Sequence, residues 1–271
     1  MKTHLLIFLL LGLLLSAYSQ PSRLICPAGT TVAQRINLPT GYHRDSLPPD
    51  SFGAFLRNFP LEKDGTRVIC YNGQPKLNPV YAAVLKADVG KRDLQQCADA
   101  VIRLRAEYLF SQKRYDDIHF NFTNGFRADY RKWADGYRIR VDGNQVTWYK
   151  AVPADDSYSA FRRYLDHVFA YAGTLSLSKE LKPVPYDHMQ TGDVLIQGGT
   201  PGHAVIVIDM AVNDRGQKLY LLAQSYMPAQ SIHILKNPMN PELSPWYELR
   251  QIPLIQTPEW NFTPKNLKRF E

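Results

Sequence analysis

The chain has 271 residues, 45% of them hydrophobic and 21% charged, with 32 Lys and Arg against 25 Asp and Glu for a formal net charge of +7. This is the composition of an ordinary globular protein, long enough to bury a core that needs no disulfide stapling. The basic residues are scattered rather than blocked and carry no RNA- or DNA-binding signature, so a solvated mixed surface is expected rather than a nucleic-acid partner, with the moderate excess suited to anionic polymers such as those of a cell wall.

Lys2, the apolar run from Leu5 to Leu15 and the small residues Ala17 and Ser19 form a secretory signal pattern, with cleavage expected before Gln20. No later segment approaches the roughly 18 to 20 apolar residues of a transmembrane helix. Residues 20–271 are therefore expected to be exported, periplasmic or extracellular, without stable membrane insertion. Ile25 ahead of Cys26 does not fit a lipid-anchor site.

From residue 20 to about 91 the chain is rich in Pro and Gly and reads as a loop-rich N-terminal arm, with strand candidates in "TRVICYNG" and "YAAVLKADV". The clearest helix follows in "LQQCADAVIRLRAEYLFS", Leu94 to about Ser111. Cys97, Val101, Leu104 and Tyr108 share one face, and Asp99/Arg103 and Arg103/Glu107 stand four apart as exposed ion pairs. "DDIHFNFTNGF" reads as strand and "YRIRVDGNQVTWYK" as a hairpin turning on Asp142 and Gly143. A second helix is expected in "SYSAFRRYLDHVFAYAGTLSLSKEL", with Tyr158, Phe161, Leu165, Val168, Phe169 and Ala172 inward.

"GDVLIQGG", "HAVIVIDMA" and "KLYLLAQSY" then form an antiparallel meander turning at "NDRG". Its middle strand alternates His203, Val205, Val207 and Asp209 on one face against Ala204, Ile206, Ile208 and Met210 on the other. The whole is a single α+β domain, with an arm over 20–91 and a core over 92–271.

A cysteine in the first turn of a helix sees unpaired amides and the positive end of the macrodipole, which favour thiolate. A histidine opening a strand is held rigidly while its ring reaches the sheet rim. Cys97 as nucleophile and His203 as base are the residue types that acyl transfer by a thiol requires. If Asn213 pairs with Gly216, His203 faces Tyr226 directly and Gln224 diagonally on the same side, making Gln224 the residue that orients the ring. A loop of odd length offers Ser225 instead. The backbone N–H of Cys97 with the side chain of Gln95 or Gln96 could form an oxyanion hole. Tyr226 and Trp133 are candidate substrate-binding residues. Three cysteines allow one internal disulfide, and with Cys97 reserved for chemistry the expected pair is Cys26 with Cys70.

The order of a helix-opening cysteine, "GDVLI", "GHAVIVID" and "LLAQSY" resembles the NlpC/P60 and CHAP families of papain-like thiol hydrolases. That resemblance implies a papain-like arrangement in which the cysteine helix packs on the histidine-bearing sheet. Gln96 and Ala98 flank Cys97 where those families carry "DCSG", and the long span between helix and meander is an insertion they do not need. The strings "LQQCADAVIRLRAEYL", "GGTPGHAVIVIDMA" and "AQSYMPAQ" resemble more closely, over nearly the whole mature chain, a bacterial secreted family known as domain of unknown function 4846, which implies no activity. The histidines show no H-E-x-x-H spacing, there is no paired CxxC and there is no G-x-S-x-G. No metal or other cofactor is expected, and a zinc or serine hydrolase is disfavoured. Two readings follow: a secreted cysteine hydrolase cleaving an amide, with cell-wall peptide as substrate, or a non-catalytic envelope protein that binds peptide or glycan with Cys97 and His203 structural. Oligomeric state is open.

Overall fold

A computed structural model of the chain describes residues 24–271; the expected signal segment, residues 1–19, and its expected cleavage before Gln20 lie outside the described residues. The fold is α+β and is organised by an antiparallel sheet of nine strands. The strand His203–Asn213 runs through its middle, flanked by Val194–Gln197 and Lys218–Gln224, so the expected meander is present. Beyond Lys218–Gln224 lie His233–Leu235 and then Tyr81–Val84, and beyond Val194–Gln197 lie Leu267–Arg269 and Lys182–Pro183. Tyr42–Arg44 and Tyr247–Leu249 pair with the far ends of the two long strands.

Both faces of this sheet are covered, which explains the unbroken apolar run of "AVIVI". One face carries the helix Cys97–Ser111 and the larger core, including Val101, Leu104, Ala204, Ile206 and Ile208. The other is sealed by C-terminal segments around Val205, Val207, Tyr220, Ile255 and Phe262.

Alternation along the middle strand fails after Ile208. Lys218, Leu219, Tyr220 and Leu221 pair with Val212, Ala211, Met210 and Asp209, but Leu222 pairs with Val207 and Ala223 with Ile206. The turn is one residue longer than the sequence suggests, with the Asn213 N–H donating to the Gln217 carbonyl at 3.0 Å. A β-bulge that leaves Ile208 unpaired then takes the residue back. As a result Met210 joins Val205 and Val207, Ala211 joins Ile206, and Asp209 leaves the His203 face. It is fully buried between Arg44 (2.7 Å) and Arg57 (2.6 Å).

The N-terminal arm is more integrated than a loop-rich appendage, since it supplies Tyr42–Arg44 and Tyr81–Val84 to the sheet. "TRVICYNG" forms only isolated bridges at Ile69 and Cys70. Cys26 and Cys70 are not bridged; all three cysteines are free thiols. Asp99 and Arg103 are not an exposed pair. Asp99 turns back to accept from the Gln96 N–H (3.0 Å), capping the helix. Arg103 is buried against Asp88, Glu107 and Gln95. The expected second helix is two, Tyr158–Tyr171 and Thr174–Glu180, separated at Gly173, and Tyr158 is exposed rather than inward. The hairpin pairs Asp142 with Gln145, so its turn residues are Gly143, with φ +56°, and Asn144.

Candidate functional site

The site lies where the cysteine helix begins and the histidine strand begins. Leu94 lies in a turn, Gln96 is extended, and the helix starts at Cys97 because Asp99 closes its first turn from inside. Ser225 ties this junction to the sheet: its hydroxyl oxygen lies 2.8 Å from the backbone carbonyls of both Gln95 and Gln230, with one hydrogen to donate between them, and accepts from the Gln230 N–H at 3.3 Å. Asp93 adds a second tie, accepting from the Ala229 N–H (2.7 Å) and the Gln96 side chain (3.1 Å).

Cys97 is 5% exposed. Burial holds its pKa above the usual thiol value, although the N–H of Ala204 and those of Ala98 and Cys97 itself favour the thiolate; the Asp99 charge adds to the rise. Ala204 is the residue after His203, so that contact places the sulfur against the start of the histidine strand. The helix terminus does not produce a resting thiolate; desolvation outweighs the amides.

His203 is completely buried, and its Nε2 lies 2.8 Å from Gln224 Oε1. The bulge makes this possible: the odd-length turn alone would have presented Ser225, and the extra residue at Ile208 restores Gln224. The Gln224 amide has only one workable orientation. Its Nε2 is 2.7 Å from Glu259 Oε2, a carboxylate that can only accept. It also sits 3.5 Å from Nε2 of His233, whose Nδ1 donates to the Ser231 carbonyl at 2.8 Å. Both neighbours are acceptors, so the amide oxygen faces His203 and accepts a hydrogen bond from its Nε2–H. His203 Nδ1 therefore carries the free lone pair, and it has no hydrogen-bond partner among the described residues. Burial lowers the His203 pKa to about 4, against the effect of the Gln224 bond and with a smaller push from Lys76. At neutral pH thiol and imidazole are both uncharged, and the imidazole is an unprotonated base aimed by its amide.

Three rings enclose His203: Tyr226 edge-on at 5.1 Å, Trp260 at 5.4 Å and Phe262 stacked at 6.0 Å. A cleft of about 560 Å³ opens onto Cys97, walled by Gln96, Asp99, the Gly199–Gly202 loop, Met227 and Trp260. Its opposite wall, Phe169, Ala170 and Ala172 to Thr174, comes from the long span between the cysteine helix and the meander, which thus helps to shape the cleft. At Gly202 a Cβ would fall 2.4 Å from both the Gly199 carbonyl and Thr174 Oγ1, so a side chain there would displace the residue before His203. A second cavity of about 440 Å³, around Tyr220, Tyr247 and Arg250, holds no nucleophile.

Gln96 lines the cleft. Gln95 does not; its Oε1 accepts from Arg103 (2.7 Å), while its Nε2 is buried without a partner. Tyr226 abuts His203 and lies beneath the Lys76 ammonium, 5.1 Å from the ring centre. Trp133 is corrected to a core residue: it is 5% exposed, donates from Nε1 to the Ala160 carbonyl (3.1 Å) and packs on Tyr164 and His167, away from the cleft. Glu259, Trp260 and Lys76 carry no sequence signal, because they come from irregular segments placed by long-range packing alone. Among the described residues no group of His, Cys, Asp and Glu could hold a metal ion, and no helix is long and apolar enough to cross a membrane.

The profile of one protein family, described as a domain of unknown function (4846), matches residues 32–269 and so contains every residue of this site. No curated protein and no solved structure gives a significant match.

Proposed function

The chain belongs to that family of unknown-function domains, from which no activity follows, and we propose from the site itself that it is an exported thiol hydrolase of papain-like arrangement acting on an amide bond. The observation that carries this reading is the His203 imidazole, neutral, oriented through Nε2 by Gln224 and left with an unpartnered Nδ1 at the strand end that Cys97 abuts.

In this reading Nδ1 takes the Cys97 proton as sulfur attacks the substrate carbonyl, and Gln224 Oε1 steadies the imidazolium that forms. The imidazolium then protonates the departing amine, leaving a thioester on Cys97. Water, deprotonated by the same nitrogen, releases the acid and restores the thiol. The Cys97 N–H and the Gln96 side chain at the cleft are the donors proposed for the oxyanion, with the unpaired Gln95 amide behind them. The acidic side chains lining the cleft are Asp93 and Asp99; burial pushes the Asp99 carboxyl well above the usual carboxylate range, and one of its oxygens lacks a hydrogen-bond partner. A peptide presenting an ammonium near its scissile bond complements them, and cell-wall peptides of a bacterial envelope are the proposed source.

The competing reading, a non-catalytic envelope binding protein, draws on the low exposure of Cys97. Incubating the protein with a panel of cell-wall peptides in ¹⁸O-water separates the two. Hydrolysis places ¹⁸O in a new carboxylate, detected by mass spectrometry, and Cys97→Ala abolishes it. A wild-type protein that binds these peptides without incorporating label overturns the hydrolase.

A further inference from the structure

Behind Gln224 the hydrogen-bond chain continues to a buried ion pair that the proposed reaction has not yet used. Lys76 Nζ is 2.5 Å from Glu259 Oε1, with the two side chains 8% and 12% exposed, and Glu259 Oε2 receives the Gln224 amide at 2.7 Å. We propose that the Lys76–Glu259 pair is the positioning element that selects the reactive tautomer of His203, acting through Gln224. This rests on the reading of His203 as the base for Cys97.

The direction of the chain follows from donor and acceptor capacities. An ammonium can only donate and an ionised carboxylate can only accept. With Lys76 at one Glu259 oxygen, the other must be met by a donor, which turns the Gln224 NH₂ group toward Glu259 and its oxygen toward His203. His203 then has to donate from Nε2, and its single proton cannot reside on Nδ1, where it would block transfer from the thiol. The 3.5 Å contact from Gln224 to His233 is too long to hold the amide by itself. The same pair also fixes the rings around the base. Trp260 follows Glu259 in the chain and packs on His203, while Lys76 caps the Tyr226 ring that meets His203 edge-on.

Glu259→Gln changes the rule with almost no change in shape. The new amide must give its oxygen to Lys76 and so presents NH₂ to Gln224. Gln224 turns over and offers NH₂ to His203 Nε2, which must accept, and the proton moves to Nδ1. Removing the ammonium as well, in Lys76→Met/Glu259→Gln, frees residue 259 to turn its oxygen back toward Gln224 and restores the original tautomer.

The experiment is ¹⁵N and ¹³C NMR of the His203 imidazole at pH 7, read beside the rate of Cys97 alkylation by iodoacetamide. The expected result is Nε2–H in the wild type, Nδ1–H in Glu259→Gln with alkylation slowed by about 100-fold, and recovery of both in the double variant. A pair that served folding alone would not be rescued by deleting its second charge. A folded Glu259→Gln that keeps Nε2–H and wild-type alkylation overturns the proposal. If that variant does not fold, Lys76→Met/Glu259→Leu replaces the pair with apolar groups, which buried ion pairs commonly tolerate. It should release the Gln224 amide and slow alkylation by about 10-fold or more, and an unchanged rate overturns the proposal equally. Inversion of the tautomer with alkylation and amide cleavage both unaffected would instead overturn the hydrolase reading.

Discussion

Gln224→Leu removes the centre of the polar chain while keeping side-chain size close to native. Its Oε1 is the acceptor for a completely buried imidazole N–H at 2.8 Å, and its Nε2 is the donor to a mostly buried carboxylate at 2.7 Å. An orphaned buried N–H costs about 1–3 kcal/mol, and a lost bond to a charged group about 1.5–3 kcal/mol. The 3.5 Å contact to His233 adds little. Leucine's added apolar burial returns about 1 kcal/mol, so the expected loss of stability is about 1.5–5 kcal/mol. Urea unfolding followed by circular dichroism measures it, with Ser225→Ala as the comparison. That variant loses a neutral hydroxyl bridge and should cost about 1–2 kcal/mol while leaving His203 oriented. The two should therefore separate in function more than in stability, with Cys97 alkylation slowed strongly by Gln224→Leu and weakly by Ser225→Ala. A Gln224→Leu protein destabilised by less than about 1 kcal/mol with unchanged alkylation would refute the role given to the amide.

The His203 pKa, lowered by burial from 6.5 to about 4, makes its contribution to stability complete above pH 6.5 and progressively lost as pH falls to about 4, because the unfolded chain binds the proton first. The span is worth about 3 kcal/mol, and NMR titration of the imidazole should find a midpoint near 4; a midpoint above 6 would contradict the burial argument. Gly202→Ala places a methyl against the Gly199 carbonyl and Thr174, and should cost about 1–3 kcal/mol and slow Cys97 alkylation, whereas an unchanged melting temperature and rate would show that the loop yields. Asp209→Ala takes the fully buried carboxylate from the partly buried Arg44 and Arg57, which keep backbone carbonyls and, for Arg57, Asp45 as partners, and should cost about 3 kcal/mol in denaturant unfolding. A cost under about 1 kcal/mol would mean that the bulge does not hold Asp209 inside.

The sequence made the local features of this protein legible, and long-range packing decided the rest. The cysteine helix, the meander and the His203 to Gln224 contact are written in short segments whose periodicity and turns can be read directly. Even there, two departures cancelled: the "NDRG" turn is one residue longer than its glycine suggests, and the bulge at Ile208 compensates. No pattern announces such a bulge, because Ile208 is an ordinary β-branched residue whose extra place is visible only against Leu221 and Leu222 of the partner strand. Asp99 and Arg103 have the spacing of an exposed pair but are drawn inward by the helix cap and by Asp88. Trp133 illustrates the opposite limit, since a tryptophan's sequence neighbours do not distinguish a cleft wall from the core. Glu259 and Lys76 lie too far apart in the chain for any local rule to join them.

The account turns on proton transfer from Cys97 to His203 Nδ1, and the pH dependence of native Cys97 alkylation in the wild type and in His203→Ala tests it most directly. With the base in place, reactivity should persist through mildly acidic pH and fall only as His203 becomes protonated near pH 4. In His203→Ala, reactivity should drop by about 100-fold at pH 7 and climb about tenfold per pH unit toward the raised thiol pKa. Superimposable profiles for the two proteins, or a wild-type Cys97 that reacts only after unfolding, would contradict it.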